Sequence, residues 1–155
     1  MKETILLVDD EQGIRTVMGL SLRDAGSNVI TVASGEEALQ LFAERPIPIV
    51  ITDIRMPGMN GLEAAEQIRE RDKNCSIIFL TAFDELNYAK RAIAVRAMEY
   101  LLKPVEYTEL KKTLDMTKIL YDARPQKYIH IMGDEGPQKI PVMDITYVEN
   151  IGRNV

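Results

Sequence analysis

The chain is poor in the groups that usually settle a protein's chemistry at a glance. It has one cysteine, Cys75, in 155 residues, so an intrachain disulfide is excluded. Cys75 sits beside an apolar run, where a buried and inert thiol is the expected state. Its one histidine, His130, stands in an alternating stretch without cysteine or histidine neighbours and is read as unliganded. Basic residues number 19 against 24 acids, for a net charge of −5. That balance argues against nucleic-acid binding by bulk electrostatics of this polypeptide alone. No apolar stretch approaches the ~20 residues of a membrane span. The first apolar run is too short for the core of a signal peptide, so the expected location is the cytoplasm, with no membrane partner. There is no internal repeat or low-complexity tract. The turn after the first apolar run, Asp9-Asp10-Glu11-Gln12, lacks glycine and would repel a pyrophosphate, against a dinucleotide-binding enzyme.

What is present is a set of short apolar runs that each stop at a polar group. Ile49-Val50-Ile51-Thr52-Asp53 is β-branched and almost continuously apolar, the pattern of a strand buried on both faces, and Pro57-Gly58 then marks a turn. Ile5-Leu6-Leu7-Val8 stops at Asp9-Asp10, Ile77-Ile78-Phe79-Leu80 at Thr81, and Tyr100-Leu101-Leu102 at Lys103-Pro104. Asn28 to Val32 supplies one more strand. Between them lie helical periods: Ile14, Val17, Met18, Ser21, Leu22 and Ala25, closed by Gly26; then Ala38, Leu39 and Phe42 after a capping box at Ser34 and Glu37. Further helices carry Leu62, Ala65 and Ile68 after Gly61, and Leu86, Ala89 and Ile93 after a cap at Asp84. The fifth strand is predicted over 98–102 and a last helix over about 106–120. Strands alternating with helices imply an α/β fold, a parallel sheet with helices on both faces.

In such a sheet the carboxyl ends of the strands share one edge, where open α/β sheets place ligands. That edge collects Asp9, Asp10, Asp53, Thr81 and Lys103. Converging carboxylates are tolerable when a cation sits among them, and oxygen-only ligands suit Mg²⁺ (or Mn²⁺). Asp10 and Asp53 are the expected direct ligands, Asp9 acts through a water, and the backbone carbonyl of Arg55 completes the set. A carboxylate can attack a phosphoryl group to form an acyl phosphate, and the transfer needs mainly positioning and neutralised charge. Asp53 is therefore read as the phosphoacceptor, with Lys103 as a second positive charge and the Thr81 hydroxyl as a donor to the phosphoryl group. An acid after a strand is often only a helix cap; the filled neighbouring strand ends favour the site. A phosphatase with an aspartyl nucleophile would want a second acid soon after the first, and Ile54-Arg55 does not supply it.

These residues carry a resemblance. Asp9-Asp10, Asp53 with Met56-Pro57-Gly58-Met59-Asn60-Gly61, Thr81-Ala82, Tyr100 and Lys103-Pro104 together resemble the response regulator receiver domain of two-component signalling, over residues 2 to about 120. The resemblance implies a flavodoxin-like, doubly wound five-stranded parallel sheet in the order 2-1-3-4-5. It implies a sensor histidine kinase as partner, phosphorylation of Asp53 from its phosphohistidine, and slow self-catalysed dephosphorylation in a signalling domain rather than an enzyme. It also implies a switch pair, Thr81 and Tyr100, that reshapes the face of the fourth helix, fifth strand and fifth helix and promotes a homodimer.

The expected organisation is a receiver domain over 1–121, a linker over 122–127 and a β-rich fragment over 128–155. Tyr128-Ile129-His130-Ile131 and residues 140–147 read as strands around a turn at Gly133-Asp134-Glu135-Gly136. Lys139 to Asn150 resembles the opening of a LytTR-type DNA-binding domain, which is incomplete here, so DNA is expected as a partner only through a complete output domain. Two functions stay open: a DNA-binding transcriptional regulator, favoured by the tail, and a stand-alone receiver that signals through protein contacts.

Overall fold

A computed structural model describes residues 3–83, 85–123, 128–133 and 135–141. Five parallel strands, β1 (Thr4–Val8), β2 (Asn28–Val32), β3 (Ile49–Asp53), β4 (Ser76–Thr81) and β5 (Glu99–Leu102), form one sheet in the order β2-β1-β3-β4-β5. Helices α1 (Gln12–Asp24), α2 (Gly35–Glu44), α3 (Gly61–Arg71), α4 (Leu86–Ala94) and α5 (Tyr107–Asp122) make the connections. The fold and strand order implied by the resemblance are the ones observed.

The period of two along each strand divides the core. Leu6, Val8, Val50, Ile77 and Phe79 face Ala38, Leu62, Ala65, Ile68 and Ala92 of α2, α3 and α4. Ile5, Leu7, Ile49, Ile51, Ile78 and Leu80 face the other way, against Leu22 of α1 and Leu110 and Leu114 of α5. With both faces covered, β1, β3 and β4 are apolar along nearly their whole length. Each fully buried Leu or Ile contributes roughly 1.5–3 kcal/mol relative to an exposed one.

Several local readings change. At α2 only half of the capping box forms: Ser34 Oγ accepts from the Glu37 N–H at 3.2 Å, while the Glu37 carboxylate turns to the Ala33 N–H. The complete box is at α3, where Asn60 and Glu63 each accept from the other's backbone N–H. The α4 stripe of Leu86, Ala89 and Ile93 does not face the core; Leu86 is 69% and Ile93 76% exposed, and the helix instead buries Ala92. Asp84 lies outside the described residues, and the α4 cap position belongs to Glu85. Helix α5 runs to Asp122, one residue into the stretch read as linker. Beyond it, β6 (Tyr128–Gly133) and β7 (Gly136–Pro141) pair antiparallel, so the second strand starts at Gly136 and not at residue 140. Residues 142–147 of that strand reading, and most of the LytTR-like stretch, lie outside the described residues.

Candidate functional site

The register explains why distant residues meet. Val8 is level with Thr52, Asp53 with Leu80, and Thr81 with Leu102. The next residues of β1 and β5, Asp9 and Lys103, therefore fall on the edge that carries Asp53 and Thr81. The chain order reverses direction between β1 and β3, so this edge is the topological switch point of the sheet.

Asp53, the last residue of the central strand, is buried. Its Oδ1 accepts from the Ile54 N–H at 2.8 Å, and its Oδ2 lies 3.3 Å from Lys103 Nζ. Asp9 is only 1% exposed; Oδ1 accepts from the Glu11 N–H at 2.9 Å and Oδ2 from Lys103 Nζ at 2.7 Å. Asp10 is exposed, yet one carboxylate oxygen from each of Asp9, Asp10 and Asp53 lies within 4.8 Å of the others. Three acids and one ammonium leave a local excess of negative charge that oxygen-only ligation could neutralise. The cluster could hold a metal ion, and hard divalent cations suit it best.

The electrostatics bear this out in direction. Burial pushes the Asp53 carboxyl up to about 6; Asp9 adds to the rise, while Lys103 and the Ile54 N–H oppose it. Burial alone would lower Lys103, but its hydrogen bond to Asp9 and the charges of Asp53 and Asp9 hold the ammonium above its ordinary range. Near neutral pH Asp53 is therefore ionised, more basic than an ordinary carboxylate, and beside a fixed positive charge.

Thr81 is fully buried, its Oγ1 accepting from the Phe83 N–H at 3.2 Å. Tyr100 does not reach the acids; its hydroxyl donates to the Phe83 carbonyl at 2.7 Å, so Phe83 joins the two. Lys103 is anchored by its N–H to the Thr81 carbonyl at 2.7 Å, and the Lys103–Pro104 bond is cis. The Arg55 side chain turns from the acids to lie over the Phe83 ring, 3.8 Å from its centre.

Two features escaped the sequence reading. A Cβ on Gly61 would stand 1.9 Å from the Asp53 carbonyl oxygen, so only glycine lets α3 start against the end of β3. Asn60 and Glu63 flank it as a capping pair, a signal readable in retrospect. The other is the set Arg55, Phe83, Glu85 and Tyr88, in which Arg55 Nε donates to the Tyr88 hydroxyl at 3.0 Å and a terminal nitrogen pairs with Glu85.

Comparison with known proteins agrees with this geometry. The model of the response regulator receiver domain matches residues 5–115. A response regulatory protein of Staphylococcus epidermidis is 36% identical over 115 residues, covering 72% of this chain and 45% of that protein. The DNA-binding transcriptional regulator NtrC of Klebsiella pneumoniae is 34% identical over 120 residues, 77% of this chain and 26% of its own length. The chain thus spans less than half of these relatives. Among solved structures, the response regulator TrrA of Thermotoga maritima in complex with Mg²⁺ and beryllium fluoride is 38% identical, with a TM-score of 0.69 over 74% of this chain and 98% of that one. Chemotaxis protein CheY4 of Vibrio cholerae is 33% identical, with a TM-score of 0.71 over 76% and 99%. Fold, strand-end cluster and family match converge: this chain belongs to the response regulator receiver domain family.

Proposed function

We propose that the chain is the receiver of a two-component response regulator and that Asp53 accepts a phosphoryl group from a phosphohistidine on a sensor histidine kinase. The observation that carries the reading is Lys103 Nζ set between Asp9 and Asp53, at 2.7 and 3.3 Å, beside three converging carboxylates. An Asp53 carboxylate oxygen forms the new O–P bond as the P–N bond to the imidazole breaks, and the electron pair leaves with the imidazole nitrogen. Lys103 holds positive charge beside the incoming phosphoryl oxygens, and the Thr81 hydroxyl proton is available to donate to one. Asp10 and Asp53 would bind Mg²⁺ (or Mn²⁺) directly, Asp9 through a water, and Arg55 through its backbone carbonyl. When bound, the ion supplies the remaining neutralisation of negative charge. No helix of the described residues is long and apolar enough to cross a membrane; we place the reaction in the cytoplasm, where a kinase domain would meet it.

The output we propose is transcriptional, through a DNA-binding domain that the LytTR-like tail begins. The relatives named as transcriptional regulators, each longer than this chain, support that reading. Phosphorylation would promote a homodimer through the face of α4, β5 and α5, which exposes Leu86, Ile93, Leu102 and Tyr107. Incubation with a small phosphodonor and Mg²⁺ should add one phosphoryl group to the intact protein, as read by mass. Asp53→Asn should abolish it; full labelling of that variant would overturn the assignment.

A further inference from the structure

At the end of the sheet opposite the acids, a cavity of about 240 Å³ opens where β4 begins and the turn from α4 to β5 comes alongside it. Three of its lining residues are cations, Arg69, Lys73 and Arg96, and none is an acid. Arg69 is 9% exposed and is fixed by main-chain oxygens. Its Nε donates to the Val95 carbonyl at 2.7 Å, and its terminal nitrogens donate to those of Asp72 and Arg96 at 3.2 and 3.3 Å. The Asp72 carboxylate is turned to the backbone, where Oδ1 accepts from the Asn74 and Cys75 N–H groups. Lys73 and Arg96 are exposed, and among the described residues no hydrogen bond or ion pair engages either side chain.

Arg96 stands where the backbone favours glycine. Helix α4 ends in a turn closed by two bonds, Arg96 N–H to the Ile93 carbonyl at 2.9 Å and Ala97 N–H to the Ala92 carbonyl at 3.0 Å, with Arg96 at φ 53°. Helix α1 ends in the same turn, and there the left-handed position is filled by Gly26 at φ 95°. A left-handed arginine carries a conformational cost that glycine does not. Glycine would offer Arg69 the same carbonyl. What it would lack is the cation.

We propose that this cavity binds a small dianion of the phosphate type, held by Arg96 and Lys73 beside the fixed guanidinium of Arg69. Guanidinium and ammonium donors together suit the oxygens of a phosphate. The volume falls below the roughly 300–1,000 Å³ of pockets that take drug-sized ligands, so the occupant is of the size of inorganic phosphate. The strained backbone at Arg96 is then retained for its charge. This site stands whether or not Asp53 accepts a phosphoryl group.

The test titrates the whole chain with inorganic phosphate, without divalent metal and at constant ionic strength set with chloride, and reads amide shifts by NMR. Saturable shifts should appear at Asn74, Cys75, Ala97 and Met98 in the millimolar range, and not at Asp53 or Thr81. Arg96→Gly should weaken binding about tenfold or more, the scale of a lost charge-assisted hydrogen bond. It should also raise the melting temperature, since glycine suits the left-handed backbone. Lys73→Gln, a substitution at an exposed residue, should weaken binding at least about threefold and leave the melting temperature unchanged. Absence of saturable shifts at these amides in the wild type, or undiminished affinity in both variants, would overturn the site. Shifts centred on Thr81 would place the phosphate at the acids and overturn it equally. A lower melting temperature for Arg96→Gly would contradict the reading that Arg96 is kept for its charge.

Discussion

Replacing Asp53 with asparagine should stabilise the metal-free protein, although Asp53 is the residue on which the proposed chemistry turns. Its carboxyl is displaced from the ordinary 3.8 to about 6, chiefly by burial beneath the strand edge and secondarily by Asp9. The folded protein therefore holds the proton more tightly than the unfolded chain does. Below about pH 4 the group is protonated in both states and adds no penalty; as pH rises through about 6 the folded state must accept a buried anion and stability falls. At roughly 1.36 kcal/mol per pH unit of displacement the full cost is about 3 kcal/mol, reached above about pH 7. Asparagine keeps the shape and the acceptor for the Ile54 N–H but carries no charge. Urea unfolding without divalent metal should show Asp53→Asn about 3 kcal/mol more stable than wild type at about pH 7.5, with the gap closing toward about pH 4. Added Mg²⁺ should stabilise the wild type and narrow the gap by mass action. A variant no more stable than wild type at about pH 7.5, or a gap that widens toward acid, would refute the reasoning.

Other outcomes follow from the same geometry. Lys103→Ala strips the partner from Asp9, which is 1% exposed, and should cost about 3–5 kcal/mol in urea unfolding at neutral pH. Asp10→Ala should weaken Mg²⁺ binding at least about tenfold in a titration, since it would remove one of the proposed direct oxygen ligands; unchanged affinity would make Asp10 a loop residue. Gly61→Ala forces a methyl group against the Asp53 carbonyl and should lower the melting temperature severely, by more than the ordinary ~1 kcal/mol of a point substitution. With a phosphoryl mimic bound, amide protection should change more over residues 89–95 and 100–110 than over α1.

The sheet was legible because parallel strands buried on both faces read as unbroken apolar runs, and because each run ends at a residue whose polarity matters. The runs alone put Asp9, Asp53, Thr81 and Lys103 on one edge of a parallel sheet. The α4 stripe differs from its expected orientation because helical spacing identifies a face without saying which way it turns. Leu86 and Ile93 share a side, but the small residue Ala92 is the one in the core. The expected box at α2 half forms and a full one stands at α3, since Ser34-x-x-Glu37 and Asn60-x-x-Glu63 share the spacing and differ in where the distal carboxylate goes. The Arg55 set left no local pattern. Arg55 and Glu85 lie 30 residues apart, and only the adjacency of β3 and β4 brings their loops together.

The central claim, that Asp53 carries the phosphoryl group, is tested most directly by locating the modification. Borohydride reduces an acyl phosphate to an alcohol and so marks the acceptor permanently. After reaction with a phosphodonor and Mg²⁺, reduction and peptide sequencing by mass spectrometry should place the mark on Asp53 and on no other residue, and omission of the metal should remove it. A mark on Asp9, Asp10 or any residue away from this strand edge would contradict the account.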